Sequence, residues 1–182
     1  DGIPNDQEGN GDLDGDGIPS SMDPYESPTV KMSMRVLLQG AYDPTTKLMR
    51  DDLRRLGLIP LHQPYGAIDN SMYEGVEVMD PSLLERTGET APVDWVLFEL
   101  RKADANATLI SQRAGIVLRN GDVIDPMSGN QLMHIAPVPA NYYYVVVRHR
   151  NHAAIVTDPP LWLSPVIPPI DFTNPDPIPL RG

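Results

Sequence analysis

The run Asp12-Leu13-Asp14-Gly15-Asp16-Gly17-Ile18-Pro19-Ser20-Ser21-Met22-Asp23 sets oxygen donors at every second position and then turns at a glycine. A hard divalent cation takes six to eight oxygens at roughly 2.3–2.6 Å. A short loop supplies them from carboxylates at its first, third and fifth positions, a carbonyl at its seventh and a carboxylate at its twelfth. Asp12, Asp14, Asp16, Ile18 and Asp23 fall on those places, and Ser20, at the ninth, donates directly or through water. Gly17 takes the sixth, where a residue without Cβ makes the turn at least cost. The chemistry implied is calcium binding. An incomplete echo lies upstream: aligning Asp1-Gly2-Ile3-Pro4 on Asp16-Gly17-Ile18-Pro19 puts Asn5 at the ninth place and Glu8 at the twelfth. Asp1, Asn5 and Glu8 are therefore candidates for a second Ca2+ site, with the first two ligands of that echo missing.

The loop ends in Asp where the helix-loop-helix form ends in Glu, and no helix can frame it. Gly9, Asn10 and Gly11 precede it and Pro24 follows. This tandem D-G-I-P arrangement resembles the thrombospondin type 3 calcium repeat of secreted proteins, over residues 1–26 and without the cysteines of the animal versions. The blander reading is a solvated acidic leader, but a random acidic run does not place the glycine and the twelfth carboxylate together.

Composition agrees with a local cation site. Residues 1–30 hold eight of the 25 acidic residues and no Lys or Arg, so most of the net charge of −11 sits there. The remainder has 14 basic and 17 acidic residues, a balance of only −3. No basic surface is available to displace counterions from phosphates, which argues against a nucleic-acid partner. The absence of cysteine excludes disulfides and thiolate metal sites. No apolar run approaches the ~20 residues that span a bilayer. The chain opens inside a calcium repeat and carries no signal peptide, which is the expectation for a portion of a longer exported precursor.

Other chemistry-bearing residues are weaker candidates. His149 and His152 stand three apart, a spacing that puts them on opposite faces of an extended strand and disfavours a shared metal ion; a hydrogen-bonding role at a strand end is the expectation. Glu99 and Arg101 share a strand face and are expected to pair with Arg148 or Arg150 in a structural ion network. Asn106-Ala107-Thr108 fits a glycosylation sequon. Tyr142 to Tyr144 offer a carbohydrate-stacking platform, although alternation buries at least one of them. The chain contains no G-x-S-x-G, no phosphate-cradling glycine loop and no cysteine nucleophile, and nothing brings two carboxylates around a cleft. A non-enzymatic protein is the expectation.

The elements that must position these residues are strands. Val30 to Val36 alternates apolar and polar, as a half-buried strand does. Asp43-Pro44-Thr45-Thr46 makes a turn, and Leu48 to Gly57 suggests one short helix stopped by Gly57. Prolines and glycines keep 58–75 irregular, with a short strand at Val76 to Met79. Val93 to Arg101 and Ala107 to Arg113 are rich in β-formers. Asn120-Gly121 between Val117-Leu118 and Val123-Ile124 signals a hairpin. Asn141 to Arg150 is the most strand-like run in the chain, apolar or aromatic on both faces of its middle, as an interior strand between two packed layers is. Short strands at regular spacing with Gly and Pro turns predict an all-β fold, an immunoglobulin-like β-sandwich. Its parts are a calcium-binding segment over 1–28, the sandwich over 29–158 and an extended tail over 159–182.

The runs Leu37 to Asp43, Met49 to Arg54, Asp94 to Arg101, Leu118 to Val123 and Tyr143 to His152 together resemble a module of large secreted, adhesin-like surface proteins of Bacteroidota, over roughly residues 35–165. The resemblance implies an extracellular or cell-surface location and identifies no catalytic residues.

The tail from Asp158 holds eight prolines in 25 residues, which bars a helix or an interior strand, yet it carries Trp162, Ile167, Ile170 and Phe172. An extended chain with apolar anchors suits a groove. The expectation is that residues from about Leu161 to Ile178 contact another copy, making the protein a homo-oligomer, a calcium-stabilised subunit of an extracellular fibre or filament. The alternative is a monomeric adhesion module for surface glycans or a host surface.

Overall fold

The computed structural model describes residues 29–66, 73–131, 133–138, 140–164, 169–173 and 180–181. The chain is mostly β-strand: β1 (Thr29–Met32), β2 (Met34–Arg35), β3 (Tyr42–Asp43), β4 (Leu48–Met49), β5 (Pro92–Lys102), β6 (Leu109–Leu118), β7 (Val123–Ile124), β8 (Met133–Pro137), β9 (Asn141–His149), β10 (His152–Thr157), β11 (Leu161–Leu163), β12 (Ile170–Asp171) and β13 (Leu180–Arg181). Helical structure among the described residues is confined to one short turn, α1 (Asp52–Arg55), and two 3-10 turns at Pro81–Glu85 and Gly88–Thr90. The all-β expectation therefore holds.

The principal sheet runs in the order β13-β10-β9-β5-β6-β7, with β11 also pairing β9, and its pairs are antiparallel. β5 sits at its centre and is buried from Pro92 to Leu100, as its unbroken run of β-forming residues requires. Val96, Phe98 and Leu100 face one apolar cluster, which gathers Met32, Met34, Val36 and Leu38 from the N-terminal strands and their continuation, with Met133, Val145 and Val147. Trp95 and Leu97 face a second cluster with Ala114, Ile116 and Ile124. That second face is covered by irregular chain through Ile59, Tyr65, Tyr73, Met79 and Leu83. Each fully buried large side chain is worth roughly 1.5–3 kcal/mol of transfer free energy, so the two clusters dominate stability. The cover meets the polar atoms it buries: Trp95 Nε1 donates to the Pro60 carbonyl at 2.8 Å, and Tyr65 Oη donates to the Trp95 carbonyl at 2.8 Å.

The Asn120-Gly121 hairpin forms as the sequence indicates, joining β6 to β7 with Ile116 opposite Ile124 and Val117 opposite Val123. Gly121 has φ +93°, and a Cβ there would lie 3.1 Å from the Val36 carbonyl, so the turn needs glycine for both conformation and approach. Gly115 serves packing alone: a Cβ would meet Met133 Sδ and Val123 at 2.9 Å.

Several local expectations give way. The stretch read as a helix from Leu48 is half strand: Leu48 and Met49 pair with Asp43 and Tyr42, and helical geometry starts only at Asp52. The hairpin closes because Asp43 accepts from the Thr45 N–H and the Thr46 hydroxyl and Lys47 turns at φ 59°. Val30 to Val36 keeps its alternation but divides into β1, paired with β8, and β2, paired in parallel with β12. Val76 to Met79 makes a single bridge, Val78 to His62, in place of a strand.

The proline-rich segment is partly taken up by its own domain. In its described residues Leu163, Ile170 and Phe172 are buried there, while Trp162 stays half exposed. Leu163 is buried on β11, Ile170 and Phe172 are buried in the first cluster, and β13 pairs with β10. The strands it forms are two or three residues long, as chain so rich in proline allows. Burying these apolar side chains against their own sheet supplies the free energy that the sequence reading assigned to a neighbour.

Candidate functional site

The sequence-predicted metal ligands Asp1, Asn5, Glu8, Asp12, Asp14, Asp16, Ile18, Ser20 and Asp23 lie outside the described residues. Among the described residues no group of three or more His, Cys, Asp or Glu is arranged to hold a metal ion, and no helix is long and apolar enough to cross a membrane. Two other constellations stand out, one polar and one aromatic.

The polar one lies at the end of β9. The strand stops at His149, and Arg150 and Asn151 turn the chain into β10, so the His149 and His152 rings meet edge to face. Their Nδ1 atoms are 2.8 Å apart. The opposite-face expectation assumed that the strand continued, and the turn overrides it. His149 Nε2 lies 3.2 Å from Asp94 Oδ2, and His152 Nε2 accepts from the Gly40 N–H at 3.2 Å. Arg150 closes on Asp94 with Nη2 at 2.7 Å and Nε at 3.1 Å. Asp94 is 2% exposed. Burial pushes its carboxyl up, but hydrogen bonds from His149, the Trp95 N–H and Arg150 outweigh burial and hold it below the ordinary range. For His152, burial and then the neighbouring imidazole push the pKa below 6.5, against the pull of Asp94. These groups border a cleft of about 370 Å³ whose apolar side is Leu38, Ala41, Leu53 and Val93.

An Asp–His–His chain invites comparison with a proton relay. A relay needs a free basic nitrogen at its end. Here that nitrogen, His152 Nε2, is occupied by a backbone N–H, so the geometry joins a loop to a turn and does not activate a nucleophile.

The Glu99 network forms through Arg148, one of the two arginines expected. Glu99 accepts from Arg101 Nε at 2.7 Å, Arg148 Nε at 2.6 Å and Gln112 Nε2 at 3.2 Å, while Arg150 goes to Asp94. The end of the strand decides the matter: Arg148 is the last residue of β9 paired with β5, opposite Leu97, and Arg150 lies in the turn beyond it.

The aromatic constellation is on β9 and β11. Of the three consecutive tyrosines, Tyr143 is buried and Tyr142 is 53% exposed. Trp162 is directly opposite Tyr142 in the β9–β11 register and is also 53% exposed. Their ring centroids are 5.1 Å apart at 69°, an edge-to-face pair. Beside Tyr142 runs a groove of about 340 Å³ lined by Lys102, Asp104 and Asn141 with Ile110 and Val138. Sequence reasoning found Tyr142 but missed Trp162, which it assigned to a buried tail contact.

In comparisons with known proteins, no family model, no curated protein and no solved structure matches this chain.

Proposed function

We propose that this is an exported, non-enzymatic recognition module of the cell surface, an immunoglobulin-like β-sandwich that binds glycan through the Tyr142–Trp162 face and is stabilised by calcium at its N-terminal leader. One observation carries the reading: two large aromatic side chains, each half exposed, are paired across neighbouring strands beside a groove with polar walls. A soluble surface gains nothing by exposing a Trp and a Tyr side by side unless something covers them. Sugar rings are suited to such a face, because their C–H bonds pack on an aromatic ring while their hydroxyls reach flanking groups such as Lys102, Asp104 and Asn141. Calcium enters through Asp12, Asp14, Asp16, Ile18, Ser20 and Asp23, whose carboxylates repel one another unless a cation neutralises them.

The competing reading is a fibre subunit joined by its tail; Ile170 and Phe172 pack in the core of their own domain, which leaves fewer apolar anchors for a neighbour. A glycan array probed with the full chain, with Trp162→Ala and Tyr142→Ala alongside, tests the proposal. Binding by the full chain that both substitutions abolish supports it, since neither side chain belongs to the core. No binding to any glycan, or binding that both variants keep, overturns it.

A further inference from the structure

We propose that Gly40, His152, His149 and Asp94 form a proton-operated latch, which fastens the loop after β2 to the β9–β10 turn while both imidazoles are neutral and releases it when the pair takes up one proton. The tautomers follow from the backbone. His149 Nδ1 accepts from the Asn151 N–H at 3.2 Å, so it carries no hydrogen, and the ring's hydrogen sits on Nε2 and donates to Asp94. His152 Nδ1 must then donate to His149 Nδ1, which leaves His152 Nε2 as the acceptor that the Gly40 N–H requires. This assignment satisfies all three links, with each donor pointing the same way along the chain.

One added proton has no place in that chain. On His152 Nε2 it faces the Gly40 N–H. On His149 Nδ1 it faces the His152 Nδ1–H, and the clash is relieved only if the His152 hydrogen moves to Nε2, where it again faces Gly40. Either route breaks the Gly40 link.

The surroundings reinforce this on every side. Asp94 of β5 favours a cation but is already paired with Arg150 at 2.7 Å. Arg50, which also lines the cleft, donates to the Gly40 carbonyl at 2.9 Å and lies 3.5 Å from Asp52, so its positive charge is held on the same loop. Breaking the Gly40 link frees one wall of the 370 Å³ cleft, since Gly40 and His152 both line it. Releasing the latch in acid thus widens a cleft that is already present while the link is made.

Imidazole nitrogen NMR on the full chain, titrated from about pH 8 to about pH 5, tests the latch across the range in which histidine changes charge. At the alkaline end His152 is expected to carry its hydrogen on Nδ1 and His149 on Nε2. On acidification the Gly40 amide resonance is expected to move with the same midpoint as His152. A His152 hydrogen on Nε2 at the alkaline end, or a Gly40 amide that ignores the titration, overturns the proposal. His152→Gln supplies an acceptor that cannot gain a proton. The protection of the Gly40 amide against exchange should fall with acid in the native chain and stay level in the variant. An equal fall in both overturns the proposal as well.

Discussion

Asp94 and Arg150 lie 56 residues apart in the chain and close on each other in the fold, with Arg150 Nη2 at 3.0 and 2.7 Å from the two carboxylate oxygens. The pair ties the central strand β5 to the turn that ends β9, and His149 takes the remaining acceptor capacity of the same carboxylate. Removing one partner of a buried pair costs more than the pair contributes, because the other charge is left without compensation. Asp94→Ala is therefore expected to destabilise the domain by about 3 kcal/mol. Asp94→Asn, which keeps an acceptor of the same shape, should cost less. Urea midpoints for the two variants check the order, and equal losses would count against the charge argument.

The C-terminal segment should behave as part of the core. Phe172→Ala removes a buried ring from the first cluster and should cost about 3 kcal/mol. Deleting residues 165–182 removes Ile170 and Phe172 together and should lower the melting temperature without altering the mass in solution. Light scattering and thermal unfolding on the truncated chain measure both. A smaller particle after truncation would revive contact between copies.

Acid sensitivity should trace in part to Glu99. Burial raises its carboxyl, but hydrogen bonds from Arg148 and Arg101 reverse that and leave it below 4.5 in the folded chain. A carboxylate lowered by folding stabilises above its unfolded pKa, and the contribution is lost as pH falls through the folded value. Glu99→Gln should therefore flatten the acid limb of the stability curve below about pH 4.5. At neutral pH it should cost only about 1 kcal/mol, since Arg148 is half exposed and can turn to water. Unfolding free energies from neutral pH into acid test the slope.

Calcium should bind the N-terminal loop. Calorimetric titration of metal-free protein is expected to give heat with calcium and a rise in melting temperature, because a ligand that binds the folded chain stabilises it by mass action. Asp14→Ala with Asp16→Ala should abolish both. No heat from the native chain, or unchanged heat from the variant, would refute the ligand set.

The aromatic pair can be probed apart from any ligand. Trp162 is half exposed and Trp95 fully buried, and the chain has no other tryptophan. A neutral quencher such as acrylamide should suppress one component of the fluorescence and spare the other. Trp162→Ala should remove the quenchable component and cost only about 1 kcal/mol, the value of an aromatic pair. A cost of core size would mean that the ring is packed and not displayed.

Period and propensity made the central strands legible before any coordinates. Trp95 to Phe98 and Tyr143 to Val147 carry unbroken apolar runs that suit an interior strand, and Asn120-Gly121 fixes its own hairpin through backbone conformation. These are local properties, decided by side-chain shape and by which φ a residue can adopt. The calcium pattern is of the same kind, since ligand spacing along a short loop is written in the residues themselves.

What the tertiary structure decided are the outcomes in which distant segments compete for one surface. Leu48 became strand and not helix because Asp43 offered a partner. His149 met His152 because the strand ended one residue before the turn. The apolar side chains of the proline-rich segment were plain in the sequence, but which surface would cover them was not. Hydrophobic burial has no direction, and an Ile or a Phe gains as much from its own core as from a neighbour's, so geometry alone put Ile170 and Phe172 inside and left Trp162 facing out beside Tyr142.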